Sequence, residues 1–227
     1  MAKHGCLKKI FIALIVLGLF SVAILFGVGY TGYKSAITTT PLPIKIAEVQ
    51  SDEDYLPVEE ISPYFLKDIV AVEDKRFYEH SAIDIIGLVR AVATNIANQS
   101  LTEGGSTITQ QVAKNLYFTN AKSFTRKIAE VFVAHDLEKA YTKDEILEIY
   151  TNIIYMGHGC YGIKEASNTY FHTEPINLTF AEAAVLAGIP QAPSRYNPID
   201  DPEKSAQRTQ GVLNILKENG ITESIGE

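Results

Sequence analysis

Five stretches of this chain carry side chains able to do chemistry. The first is Glu73-Asp74-Lys75-Arg76-Phe77-Tyr78-Glu79-His80. In a continuous helix Glu73, Phe77 and His80 share one face, at i, i+4 and i+7. A carboxylate against an aromatic ring loses water, which raises its pKa toward the range a general base needs. The competing reading is a solvated helix end with Phe77 in the core. Spacing alone favours that second reading, because charge runs are usually surface.

The second stretch is Gly104-Gly105-Ser106-Thr107-Ile108-Thr109-Gln110-Gln111. Glycines leading into Ser and Thr and then a helix make an N-terminal cap whose backbone N–H groups can hold an anion. A loop that simply starts a helix has the same pattern, but Gln110, Gln111 and Lys114 are polar for a plain packing helix. No Gly-Lys-Ser/Thr follows, so this is not a Walker loop. The third stretch is basic. Lys114, Lys122, Arg126 and Lys127 occur with no acid between Glu103 and Glu130. The last three stand at the start of an expected helix, where they oppose its dipole, so local stability does not explain them. Arg126 and Glu130 are spaced i, i+4 with the base first, the weaker order for an ion pair. Such a pair stays open, but a phosphate-binding patch explains the placement better. The fourth stretch runs from Lys143 through Asn152, a helix expected to pack through Ile146, Leu147, Ile149 and Tyr150, to the glycines 157, 159 and 162, and the fifth is Gln191 to Pro198. Both read mainly as scaffold.

Other chemistries lack their residues. His80, His135, His158 and His172 are scattered, and no H-E-x-x-H or Cys/His spacing suggests a protein-built metal site. No Ser-x-x-Lys occurs, so an acyl-serine transpeptidase site is absent from this sequence. Cys6 and Cys160 lie on opposite sides of a long apolar run and imply no disulfide.

That run is Ile10 to Gly29, without a charge. Twenty residues at about 1.5 Å each span about 30 Å, the hydrocarbon thickness of a bilayer. Lys3, Lys8 and Lys9 precede it, so the N-terminus is expected inside and the remainder outside. A cleaved signal peptide is the alternative; the length of the run and the lack of an A-x-A site argue against it. Of the 20 basic residues three precede the anchor, leaving 17 against 27 acids beyond it. Such a domain is no general nucleic-acid binder.

The expected organisation is a cytoplasmic tail (1–9), a transmembrane anchor (10–29), a linker (30–57), a catalytic domain (58–221) and a short tail (222–227). The linker holds Thr and Pro and one strand at Ile44 to Val49. Beyond it the periodicity is helical. Ser62-Pro63 opens a helix, followed by helices over Asp84–Asn98, from Thr107, over Ser123–Tyr141 and over Pro202–Asn219, with Gly220 as its stop. Thr142-x-x-Glu145 and Thr179-x-x-Glu182 are capping boxes. The fold class is all-α.

Together the five stretches resemble the five motifs of the peptidoglycan glycosyltransferases, glycosyltransferase family 51. Glu73-Asp74-x-x-Phe77-x-x-His80 is similar to the first and Gly105-Ser106-Thr107-Ile108-Thr109-Gln110-Gln111 to the second. Arg126-Lys127-x-x-Glu130 is similar to the third, Ile146-Leu147-x-x-Tyr150-x-Asn152 with Gly157 to the fourth, and Tyr196-Asn197-Pro198 to the fifth. Two positions depart from the pattern: Ala82 stands where Gly is usual and Thr151 where Leu is usual.

The resemblance implies a lysozyme-like helical domain with a small membrane-proximal subdomain, acting on lipid II and a growing glycan chain. It implies Glu73 as general base and Glu130 as a second catalytic glutamate. Asp74, Phe77, His80, Ser106, Thr107, Gln110, Gln111, Lys114, Lys122, Arg126 and Lys127 would bind substrate, the basic ones holding the pyrophosphate. A divalent cation (Mg or Mn) could share that task; no tightly bound cofactor is expected. Other cell-wall synthesis proteins are the expected partners. With no transpeptidase motif, the sequence reads as a single-activity enzyme.

Overall fold

Side chains of Thr107, Ser123, Thr142, Thr179 and Asp201 cap five of the helix starts in this computed structural model, which describes residues 2–97, 104–119 and 123–223. The helices are α1 (Ala2–Thr39), α2 (Leu42–Gln50), α3 (Pro63–Glu73), α4 (Ile85–Ala97), α5 (Ile108–Tyr117), α6 (Phe124–Ala140), α7 (Lys143–Ile153), α8 (Gly162–Phe171), α9 (Phe180–Gly188), α10 (Pro193–Tyr196) and α11 (Pro202–Glu218). Among the described residues there is no strand, only an isolated bridge between Tyr155 and Tyr161, so the all-α expectation holds. Both capping boxes form: the Thr142 and Thr179 hydroxyls accept from the Glu145 and Glu182 backbone N–H groups, and the glutamates reach back. Ser62 does precede α3, but its Oγ donates to the Leu178 carbonyl at 3.1 Å instead of capping.

The expected linker is folded. α1 continues past the apolar run to Thr39, and α2 replaces the strand. Leu42 and Ile46 are buried and Val49 packs beside them on the core, a helical i, i+4, i+7 stripe. α1 then lies along α6. A Cβ at Gly29 would stand 2.5 Å from Ile128 Cγ2 and 3.0 Å from the Thr125 carbonyl, so only glycine allows this approach. Above it the Tyr33 hydroxyl donates to Asp136 at 2.6 Å, and the Tyr30, Tyr33 and Phe132 rings stack in a cluster. The Tyr117 hydroxyl ties α5 to the Thr40 carbonyl at 2.9 Å.

α3 packs on α9 and α11, α5 on α6 and α7. Their shared core holds Phe65, Ile69, Ile108, Val112, Val133, Leu137, Ile146, Ile149 and Tyr150, as the fourth stretch predicts for α7. α4 is different. Ile85, Ile86, Val89, Val92 and Ile96 leave an apolar face in the open, and Phe124 beside α6's start is 82% exposed.

One core group is out of keeping with its surroundings. Asp68 on α3 is fully buried, and neither carboxylate oxygen has a hydrogen-bond partner. Burial pushes its pKa up to about 7, against a small opposing effect of Lys67. The folded state therefore holds a proton that the unfolded chain releases near 3.8. Stability from this group is complete below that value and is lost as pH rises to about 7. Asp68→Asn should flatten the fall in unfolding free energy between pH 5 and pH 7 by about 2 kcal/mol. Denaturant titrations of both proteins across that window measure it, and parallel slopes would refute the assignment.

Candidate active site

Glu73 is the last residue of α3 because the chain after it is claimed from elsewhere. Asp74 leaves helical geometry, at φ −156° and ψ 71°. Its Oδ2 accepts from the Ile108 backbone N–H at 3.0 Å, at the positive end of α5, and its Oδ1 faces His80 Nε2 at 2.7 Å. The helix does not continue, so Glu73, Phe77 and His80 do not share a helical face. Phe77 sits in a short 3-10 turn and is fully buried. The Ala82 carbonyl closes the loop, accepting from Thr107 Oγ1 at 3.0 Å and Gln110 Nε2 at 2.9 Å. Ala82 itself has no positive φ, so the departure from glycine adds no backbone strain there. Thr151, the other departure, is buried and bonds the Glu148 carbonyl at 2.8 Å.

The glycine stretch comes close to α4: a Cβ on Gly105 would stand 2.7 Å from Leu88 Cδ1. Thr107 then caps α5, accepting from the Gln110 N–H at 3.2 Å. α5 carries Gln111 toward Glu73, and the amide Nε2 donates to Glu73 Oε2 at 2.8 Å. α6 contributes the basic group. Arg126 pairs with Glu130, which is only 2% exposed, and Lys127 lies 3.3 Å from the same carboxylate. The Lys127 ammonium also donates to Ser106 Oγ at 2.8 Å. The open alternative in the sequence is thus realised: Arg126 and Glu130 are an ion pair, and the patch is built around that buried acid. Lys122 lies outside the described residues.

These side chains line one cleft with two lobes. A cavity of about 380 Å³ is walled by Ser106, Gln110, Gln111, Lys114, Arg126, Lys127 and Glu130. A second, of about 340 Å³, is walled by Asp74, Lys75, Asp84, Leu88, Arg90, Gly105, Thr107 and Glu218. Glu73, Ser106, Gln191 and Arg208 border both. Phe77 and His80 line neither, and hold the loop from behind.

Arg208 was not singled out by sequence reasoning. Its Nε donates to the Gly188 carbonyl at 3.2 Å, and its guanidinium lies 5.8 Å from the Tyr196 ring centroid. A signal exists: Arg208, Val212 and Leu216 are spaced i, i+4, i+8, which puts a cation in line with a buried stripe of α11. The fourth and fifth stretches do act as scaffold. Gly157, at φ 79°, lets the chain meet the Pro193 carbonyl, where a Cβ would stand at 2.4 Å, and buried Asn197 donates to that carbonyl at 2.8 Å.

The cleft perturbs its titratable groups in opposite directions. Burial raises the Glu73 pKa above 4.5, tempered by the Gln111 hydrogen bond and the Arg208 charge, while Asp74 adds to the rise. Burial lowers the Lys127 pKa, and Glu130 opposes that. A carboxylate prepared to accept a proton thus stands at the edge of a pocket of fixed positive charge.

Asp74, His80 and Asp84 are the one His/Cys/acid trio among the described residues with donor atoms within 4.8 Å of one another. It does not fit a resident metal. Asp74 is used by His80 and Ile108, and the Arg76 guanidinium Nε lies 3.3 Å from Asp84.

Comparison with known proteins identifies the family. The family model described as transglycosylase matches residues 43–217. A transglycosylase-named protein of Cupriavidus necator is 42% identical over 92% of this chain and 89% of its own length. Penicillin-binding protein 1F of Bacillus subtilis is 41% identical over 94% of this chain, and penicillin-binding protein 1A of Neisseria lactamica 50% identical over 68%. The matched part is 32% and 19% of those two longer proteins. The crystal structure of penicillin-binding protein 1A from Haemophilus influenzae aligns with a TM-score of 0.35 and 30% identity, over 52% of this chain and 14% of that one. The family model, which begins within α2 and ends within α11, covers Glu73 and every residue named for the basic lobe, and the chain belongs to the transglycosylase family, the peptidoglycan glycosyltransferases.

Proposed function

We propose that the chain polymerises lipid II into β-1,4 glycan at a membrane surface, with Glu73 as the general base. The observation that carries this is the place of Glu73 between the two lobes, one of which is lined by Lys114, Arg126 and Lys127. A sugar 4-hydroxyl in the other lobe gives its proton to Glu73, and its oxygen attacks the anomeric carbon of the donor from the face opposite the pyrophosphate. One C–O bond forms, the C–O bond to phosphate breaks, and the configuration inverts from α to β. The departing undecaprenyl pyrophosphate takes the electron pair into the basic lobe, where fixed cations stabilise it without reorganisation. Glu130 holds Arg126 and Lys127 together, and Arg208 faces the reacting centre. A divalent cation fits this scheme as a counter-ion carried by the pyrophosphate, and no step depends on it.

A lipid-linked substrate asks for a membrane-bound enzyme. α1 contains an apolar segment, Phe11–Thr39, long enough to cross a bilayer. We place the N-terminus in the cytoplasm on the strength of Lys3, Lys8 and Lys9, with the cleft outside. The open apolar face of α4 and Phe124 then rests in the same interface, forming the membrane-proximal part of the domain. Other wall-synthesis proteins would meet the enzyme there.

The test is direct. Full-length protein in vesicles containing lipid II, with and without magnesium, should yield a muramidase-sensitive polymer. Shortening of preformed glycan with no growth from lipid II would instead mark a hydrolase on the same fold, and would overturn the proposal.

A further inference from the structure

Behind the cleft, away from both lobes, a second charged pair is enclosed. Glu138, near the end of α6, and Lys143, the first residue of α7, meet at 2.6 Å with side chains only 12% and 18% exposed. Glu138 Oε1 also accepts from the hydroxyl of Thr109, a fully buried residue of α5, at 2.5 Å. The Lys143 ammonium sits 4.3 Å from the centroid of the buried Phe77 ring. One residue further on, Asp144 accepts from the Tyr78 hydroxyl at 2.9 Å.

A buried ion pair gains little net stability, since desolvation offsets its attraction. Its distinctive property is directionality. Here it reaches two elements that meet again at Glu73. Thr109 is two residues from Gln111, so it lies on the far side of α5 from the amide that donates to Glu73. Phe77 anchors the turn that begins immediately after Glu73. Both partners of the Glu73–Gln111 hydrogen bond are therefore braced from the rear by one carboxylate and one ammonium.

We propose that Glu138 and Lys143 are positioning residues, which set the distance between Glu73 and Gln111 from behind the cleft. Neither borders a lobe, so neither contacts substrate. The proposal rests on the reading of Glu73 as the base for its kinetic consequence, but not for its geometry.

The variants are Lys143→Met, which keeps the stem and removes the charge, Lys143→Arg, which restores it, and the milder Thr109→Val. With lipid II as substrate, Lys143→Met should lower kcat roughly tenfold while KM stays within about twofold. Thr109→Val should lower kcat roughly threefold, and Lys143→Arg should recover most of the loss. Carbon-detected titration of the Glu73 carboxyl in full-length protein in micelles should show its midpoint moving up in Lys143→Met, as the Gln111 hydrogen bond weakens. An unmoved midpoint in both Lys143→Met and Thr109→Val overturns the proposal, whatever happens to kcat. So does failure of Lys143→Arg to recover activity. If Glu73→Gln proved fully active while the midpoint still moved, the base assignment would fall and the brace would stand.

Discussion

Glu73→Gln is expected to reduce glycan synthesis from lipid II about a thousandfold, with KM and the far-ultraviolet circular dichroism spectrum little changed. The glutamine carbonyl can still accept the Gln111 amide, so the local hydrogen bond survives, while the site loses its proton acceptor. In the unaltered enzyme the acid limb of the rate profile should lie above the ordinary carboxylate value of 4.5, because burial raises the Glu73 pKa and only the ionised form can take a proton. Activity therefore rises as pH increases through that raised value. Arg208 is one of the two groups that hold the value down. Arg208→Met should push the acid limb further up, and a limb that stayed put would dissociate Arg208 from the base. Full activity in Glu73→Gln would remove Glu73 from the chemistry.

Lys127→Met carries the second large effect. It removes the ammonium that bridges Ser106 and Glu130 while leaving Arg126 as the partner of the buried acid. A roughly hundredfold loss in kcat/KM for lipid II is expected, the scale of removing one pre-organised stabiliser of a departing anion. The alkaline side gives a second readout. Burial lowers the Lys127 pKa below its usual 10.5, so its charge, and activity with it, is lost as pH rises through that lowered value. Lys127→Arg should shift this basic limb upward, because guanidinium stays charged there. A basic limb identical in the arginine variant would mean that another group titrates. An enzyme that only cleaved glycan would be indifferent to both substitutions.

Local chemistry was the legible part of the fold. Thr142 with Glu145 and Thr179 with Glu182 announce helix starts because each box is satisfied within four residues. The apolar stripe of α7 was likewise readable from its spacing. The misreadings have distant causes. Nothing near Asp74 says that its carboxylate will be used by Ile108, 34 positions on, yet that bond ends α3 at Glu73 and turns His80 inward. α2 looked extended because Thr and Pro precede it at Thr38 to Pro43, and only packing decides for the helix. At the site, the side-by-side placement of Gln111, Lys114, Arg126 and Lys127 could be read from type and order. The burial of Glu130 between two cations could not, since the base-first order predicts a weak surface pair. Arg208 escaped because its role is set by α3 and α9, not by its own neighbours in sequence.

The passage of α1 into the fold without a break has a mechanical consequence. At about 1.5 Å per residue its 38 residues reach about 57 Å, nearly twice the hydrocarbon thickness of a bilayer. The contacts at Gly29 and Tyr33 clasp the upper part to α6, so the segment in lipid and the helix bearing Arg126 and Lys127 turn as one piece. With α1 spanning the bilayer as proposed, hydrophobic mismatch is not absorbed by a slack tether. A thinner membrane would be met by tilt of the shaft, and the tilt changes the height of the basic lobe relative to the lipid phosphates. On that placement, acyl-chain length sets the height at which the cleft meets the lipid surface, transmitted by a rigid rod instead of a ligand.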